Sequence, residues 1–223
     1  MMETKDPVNQ SLIAFEQERG LEKLGLMNSV VWHQDPKRLV FTLSRYKFVA
    51  KMLSGKESVA EIGCGDGFGA RIVRQEVKSL TITDYDPYFI NRFSEIASDV
   101  WSIEAKVHDI LEEPLSSKFD AVYSLDVLEH IPPEREESFI RNISSSLKPN
   151  GVMIAGIPSL ESQEYASPSS RAGHVNCKSG KDFKSLMEHY FEHVFLFSMN
   201  DEVVHTGFSK MAHYLLVLCC VQK

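Results

Sequence analysis

The chain lacks most of the features that would direct it to a membrane, a nucleic acid or an oxidising compartment. Its longest uninterrupted apolar run, Tyr214 to Val221, is far too short to cross a bilayer. The amino-terminal Met-Met-Glu-Thr-Lys-Asp-Pro has no apolar core of the kind a secretory signal carries. Positive charge is scarce: Lys and Arg number 24 against 31 Asp and Glu, a formal net charge of −7. A basic footprint that displaces counterions from phosphates is therefore missing, and neither a generic nucleic acid nor a membrane is expected as a partner. The four cysteines make no framework. Cys64 falls in a glycine-rich turn, Cys177 in a polar stretch, and Cys219 and Cys220 adjoin in an apolar run where strand neighbours point apart. Reduced thiols and a cytoplasmic location are the expectation. Nothing in the sequence speaks to oligomeric state.

What is present is ordinary globular material: 223 residues, 43% hydrophobic and 25% charged, enough for one α/β domain with a real core. Residues 1–57 carry helical patterning and no strand signal, and form an expected helical cap. Asp35-Pro36 is a good helix start, followed by Leu39, Val40, Leu43, Tyr46, Val49, Ala50 and Leu53 at helical spacing. From residue 58 short apolar runs alternate with helical stretches: Ser58–Gly63, Leu80–Thr83, Ile103–Val107, Ala121–Ser124, Val152–Ile157, Val194–Ser198 and Met211–Val221. That alternation predicts a seven-stranded, mostly parallel sheet with helices on both faces. The connection from Ser198 to Met211 is too short for a crossover helix, so the last strand should be antiparallel to its neighbour.

The first run ends in Glu61-Ile62-Gly63-Cys64-Gly65-Asp66-Gly67-Phe68-Gly69, with a helix expected from about Ala70. Glycines at a strand-to-helix turn let a ligand approach the backbone, and the helix start offers free N–H groups. The dinucleotide spacing G-x-G-x-x-G fails at Phe68. The spacing is E-x-G-x-G-x-G instead, and an acid before the first glycine suits an ammonium or sulfonium ligand better than a pyrophosphate. This turn resembles motif I of the class I S-adenosylmethionine (SAM)-dependent methyltransferases. The second run ends in Asp84-Tyr85, the third is followed by Asp109-Ile110, and the fourth closes in Leu125-Asp126-Val127-Leu128-Glu129-His130. Leu147-Lys148-Pro149-Asn150-Gly151 then opens the fifth. The matches come in family order and cover residues 58–157, the expected SAM-binding core.

The resemblance implies a Rossmann-like fold and SAM as cofactor. It implies that Glu61, Gly63, Cys64, Gly65, Gly67 and Leu125 surround the cofactor. Asp84 would accept the ribose hydroxyls, Tyr85 would pack beside the adenine, Asp109 would take its amino group and Ile110 would cover the ring. Asp126, Glu129, His130 and the distant His174 resemble the E-x-x-E-H plus later His of metal-dependent O-methyltransferases. Such a set implies a divalent ion, with Mn, Fe or Zn suited better than Mg. Asp126 departs from the usual glutamate, and many class I enzymes carry L-E-H without binding metal.

Ligands of open α/β sheets lie beyond the carboxyl ends of the strands. Residues 158–223 therefore supply substrate-side loops, with His174 and His205 as candidate general bases and Trp32, His33, Arg45 and Tyr46 as further contacts. His189-Tyr190-Phe191-Glu192-His193 matches an inverted zinc-protease pattern, but is read as a solvated pair on the helix before the sixth strand. The tail resembles methyltransferases encoded with bacterial surface-polysaccharide genes. A small molecule or saccharide precursor methylated on oxygen is thus the leading expectation. RNA 2′-O-methylation and a non-catalytic SAM-binding domain are the alternatives.

Overall fold

The computed structural model describes residues 4–223. Its amino-terminal part holds three helices, α1 (Gln10–Arg19), α2 (Leu26–Gln34) and α3 (Pro36–Met52). Helix α3 starts at Pro36 as the sequence suggests, but the Asp35 side chain makes no capping bond. Leu39, Val49, Ala50 and Leu53 turn inward as expected, whereas Val40 is exposed and Phe48 takes a place in the core.

Then strands and helices alternate: β1 (Ser58–Ile62), α4 (Ala70–Arg74), β2 (Ser79–Asp84), α5 (Pro87–Phe93), β3 (Glu104–Val107), β4 (Phe119–Leu125), α6 (Glu136–Ser145) and β5 (Leu147–Pro158). After β5 come α7 (Pro168–Gly173), α8 (Gly180–Glu188), β6 (Phe191–Asn200), β7 (Val203–His205) and β8 (Tyr214–Gln222).

The eight strands lie in the order β3-β2-β1-β4-β5-β8-β6-β7. Strands β1 to β5 pair in parallel, while β8 inserts antiparallel between β5 and β6. The expected antiparallel last strand is there. The strand count differs by one, because Val203–His205, read as loop, folds back along the end of β6 as an edge strand.

Apolar side chains cover both faces. Phe139, Ile140 and Ile143 of α6, with Phe183 and Met187 of α8, pack on one face, and Phe48, Val49, Leu53, Ala70, Val73 and Phe93 on the other. Each large side chain removed from water contributes about 1.5–3 kcal/mol. Parallel strands put the carboxyl ends of β1, β2 and β4 on one edge, with the order reversing between β1 and β4, and that edge carries the site.

The protease-like pattern is not helical, contrary to the sequence reading. Helix α8 ends at Glu188, and Glu192 and His193 are exposed residues of β6, whose Phe191 is drawn into the core. Among the described residues no helix is long and apolar enough to cross a membrane, and all four cysteines are free.

Candidate functional site

The turn after β1 carries three glycines in left-handed conformation, Gly63 (φ 74°), Gly65 (φ 54°) and Gly67 (φ 70°). The N–H groups of Gly63 and Cys64 donate to the Thr83 carbonyl at 2.8 and 3.0 Å, tying the turn to β2. Asp84, buried at the end of β2, accepts from the backbone N–H of Gly65 and of Asp86, both at 2.9 Å. Each carboxylate oxygen keeps further acceptor capacity, so the arrangement fits a diol-bearing ligand laid across the turn. Tyr85 is exposed beside it. Asp109 is also exposed, and accepts from the Leu111 N–H at 2.9 Å. Ile110, Cys64 and Leu125 are buried beneath the edge, and burial pushes the Cys64 thiol far up.

Glu61 is only 1% exposed, and its oxygens accept one bond each, from Tyr46 Oη at 2.8 Å and Tyr123 Oη at 2.7 Å. Burial raises its pKa to about 7, against the lowering effect of the two tyrosine bonds. Tyr123 had no role in the sequence reading, and only β4 and β1 pairing side by side reveals it.

Beyond β4 the chain makes a 3-10 turn, Leu128–His130. Glu129 is 1% exposed and its Oε2 has no partner. Burial, then the nearby Asp126, holds its pKa well above the usual carboxylate range. The Asn176 N–H donates to the Glu129 carbonyl at 3.0 Å, which draws the loop after β5 across the turn and brings in His174. Ligand atoms of Glu129, His130 and His174 then lie within 4.8 Å of one another.

Both rings are fixed from behind. His130 Nδ1 meets the Gly173 carbonyl at 2.9 Å, and His174 Nδ1 meets Gln163 Oε1 at 2.8 Å. Gln163 Nε2 donates to the Ser159 carbonyl, so its oxygen faces His174. In a neutral ring so held, Nδ1 carries the proton and Nε2 keeps the lone pair, the arrangement typical of imidazoles that ligate metal. Burial, then His130, lowers the pKa of His174, which favours its neutral form.

Two of the expected residues stand apart. Asp126 does not join the cluster: its backbone is left-handed (φ 57°), and its oxygens are 2.7 and 2.6 Å from Arg45 Nη1. His205 is not free to act as a base, because Nε2 is paired with Asn200 Oδ1 at 2.8 Å and Nδ1 accepts from the Gly207 N–H at 2.9 Å. Tyr214, not picked out from the sequence, lies under the Arg45 guanidinium at 3.7 Å. Trp32 and His33 are exposed on α2.

With this geometry in view, the comparisons with known proteins are consistent. A family model described as a methyltransferase domain matches residues 31–190. The chain belongs to that family, and its fold is that of the class I SAM-dependent methyltransferases. A ubiquinone biosynthesis O-methyltransferase of Rickettsia felis is 26% identical over 61% of this chain and 59% of its own length. A mitochondrial ubiquinone biosynthesis O-methyltransferase of Schizosaccharomyces pombe is 29% identical over 60% of this chain and 47% of its own length. The chain thus spans about half the length of these curated relatives. The N-methyltransferase NodS of Bradyrhizobium japonicum, solved with S-adenosylhomocysteine (SAH), superposes with a TM-score of 0.64 at 19% identity, covering 85% of this chain and 90% of NodS. The methyltransferase domain of bacterial CtHen1 gives 0.66 at 16% identity over 82% of this chain and all (100%) of that domain. These two likenesses speak to the fold.

Proposed function

We propose that this chain transfers a methyl group from SAM to an oxygen of a small molecule or saccharide precursor. The observation that carries this reading is the convergence of Glu129, His130 and His174 beyond β4, beside the strand whose end holds the glycine turn. The cofactor and acceptor sides are then neighbours. Bound SAM supplies a methyl group on a good sulfonium leaving group, so the chain's work is alignment and exclusion of water. In this reading Gly63, Gly65 and Asp84 orient the cofactor, and the loop carrying His174 closes over the acceptor.

Glu129, His130 and His174 offer one carboxylate and two imidazoles, a mixed O/N set suited to Mn²⁺, Fe²⁺ or Zn²⁺ more than Mg²⁺. The orphaned Glu129 Oε2 and the two outward lone pairs fit such an ion. It would lower the pKa of an acceptor hydroxyl. Without metal, neutral His174 is the residue placed to take the hydroxyl proton through Nε2. The named activity of the ubiquinone-related proteins supports oxygen as the acceptor atom. A net charge of −7 argues against RNA. The presence of Glu61, Asp84 and Asp109 together argues against a non-catalytic domain. The test is mass spectrometry of candidate acceptors incubated with SAM, with and without EDTA; turnover on oxygen supports the reading, and methylation confined to nitrogen refutes it.

A further inference from the structure

Helices α1 and α2 bury no side chain in the core. The link between them runs from Gly20 to Gly25, and both glycines are left-handed (φ 73° and 79°). Space around Gly20 is open. At its far end α2 gives way to α3 through Asp35, whose backbone (φ −151°, ψ 78°) is not helical. Helix α2 is therefore a nine-residue element with a joint at each end.

The link is tied to the domain by surface ion pairs, Glu22 with Arg71 at 3.0 Å and Lys23 with Glu95 at 3.7 Å, and the start of α2 itself is held by an acidic residue of the glycine turn. Asp66 Oδ2 accepts from the Asn28 N–H at 3.1 Å, and Oδ1 accepts from Asn28 Nδ2 at 2.8 Å. The N-cap residue Gly25 offers no side-chain bond, so Asp66 caps α2 from across the fold and sets a negative charge against its positive end. This contact puts the Met27 side chain over the turn: a Cβ built on Gly65 would stand 2.8 Å from Met27 Sδ. Beside the latch lies a cavity of about 470 Å³, lined by Leu24, Gly25, Leu26, Asp66, Phe89 and Ile96, which gives the start of α2 room to move.

We propose that α2 is a gate on the cofactor site, with Met27 as the plug over Gly65 and the Asp66–Asn28 bonds as the latch. This rests on the reading that SAM meets the backbone at the glycine turn. A ligand lying on Gly65 needs the space Met27 fills, so α2 swings on its glycine joint to admit it and relatches over the seated ligand with the Met27 side chain turned aside. Substrate-side residues are not required for this motion, which makes it testable without knowing the acceptor.

The test is stopped-flow binding and release of SAH. Trp32 lies on α2 and Trp101 is the only other tryptophan, so a Trp101→Phe background leaves the gate as the fluorescent reporter. The observed rate should level off at high SAH, at the opening rate. Asn28→Ala removes the side-chain bond to the Asp66 carboxylate and should raise both the plateau and the release rate about tenfold. Met27→Ala should raise the plateau with little effect on melting temperature, since Met27 is half exposed. Rates within about twofold of the parent in both variants, with SAH still bound at equilibrium, would overturn the gate alone. Failure of the parent protein to bind SAH would overturn the cofactor reading and the gate together.

Discussion

Arg45 reaches from α3 to Asp126 beyond β4, its Nη1 lying 2.7 and 2.6 Å from the two carboxylate oxygens while the guanidinium covers the Tyr214 ring at 3.7 Å. One residue on, Tyr46 bonds to Glu61 at the end of β1. Adjacent residues of the cap thus hold the two strand ends between which the cofactor and acceptor are expected to meet. The Arg45 side chain is 14% exposed and that of Asp126 36%, so the pair is shielded on one side only.

Arg45→Met should therefore cost about 2–3 kcal/mol of stability, less than a fully buried pair loses, because water still reaches Asp126. Arg45→Lys should recover less than half of that, since an ammonium cannot lay a planar group on the Tyr214 ring. Urea denaturation reads both values. A loss under about 0.5 kcal/mol for the methionine variant would mean that the pair is incidental to the fold.

Glu61 should make stability depend on pH in an unusual direction. Its folded pKa is raised to about 7 from 4.5. Between those values the folded state binds more protons than the unfolded one, so stability falls as pH rises through this window and levels off above it. Glu61→Gln removes the titration. Relative to wild type, the variant should gain on the order of 3 kcal/mol between pH 5 and pH 8. Parallel stability curves for the two proteins would show that Glu61 titrates normally.

On the cofactor side, Asp84→Ala should weaken SAH binding by about 1–3 kcal/mol, the usual cost of losing charge-assisted hydrogen bonds. Part of that loss is indirect, because Asp84 also holds the Gly65 N–H. Gly65→Val should do worse, combining a left-handed backbone with a side chain driven against Met27. Calorimetry distinguishes the cases, and an unchanged affinity in Asp84→Ala would remove that residue from its role.

Much of this was legible in the sequence because the edge proposed to hold the cofactor is built from local signals. The glycine turn and Asp84 each end a strand that the chain announces by its apolar pattern, and Asp109 follows two residues after β3. The acceptor side was legible only in part. The 3-10 turn still brought Glu129, His130 and His174 together, but Asp126 was lost to Arg45, a partner 81 residues away in the chain. His205 carries the same chemistry as His174, yet an edge strand and Asn200 occupy it. The Asp66–Asn28 latch left no trace in the sequence at all, since no periodicity marks a cap supplied from 38 residues away.

The metal reading makes its own prediction. Mn²⁺ should bind with an affinity that falls at least tenfold in His174→Ala, roughly the loss of one ligand's worth of free energy. SAH affinity should stay within about twofold, because the residues proposed to hold the cofactor lie on other loops. Electron paramagnetic resonance titration of Mn²⁺ measures the first quantity. Identical Mn²⁺ binding by the two proteins would leave His174 as a metal-free base.

The central claim is methyl transfer from SAM to oxygen at the Glu129–His130–His174 edge. Its most direct test is high-resolution mass spectrometry of a panel of hydroxylated small molecules and saccharide precursors incubated with SAM carrying an isotopically labelled methyl group. The account predicts that the wild-type protein places the labelled methyl on an acceptor oxygen and that the Glu129→Gln, His174→Ala double variant, still binding SAH, does not. Labelled product formed equally by both proteins, or carried only on nitrogen, would contradict it.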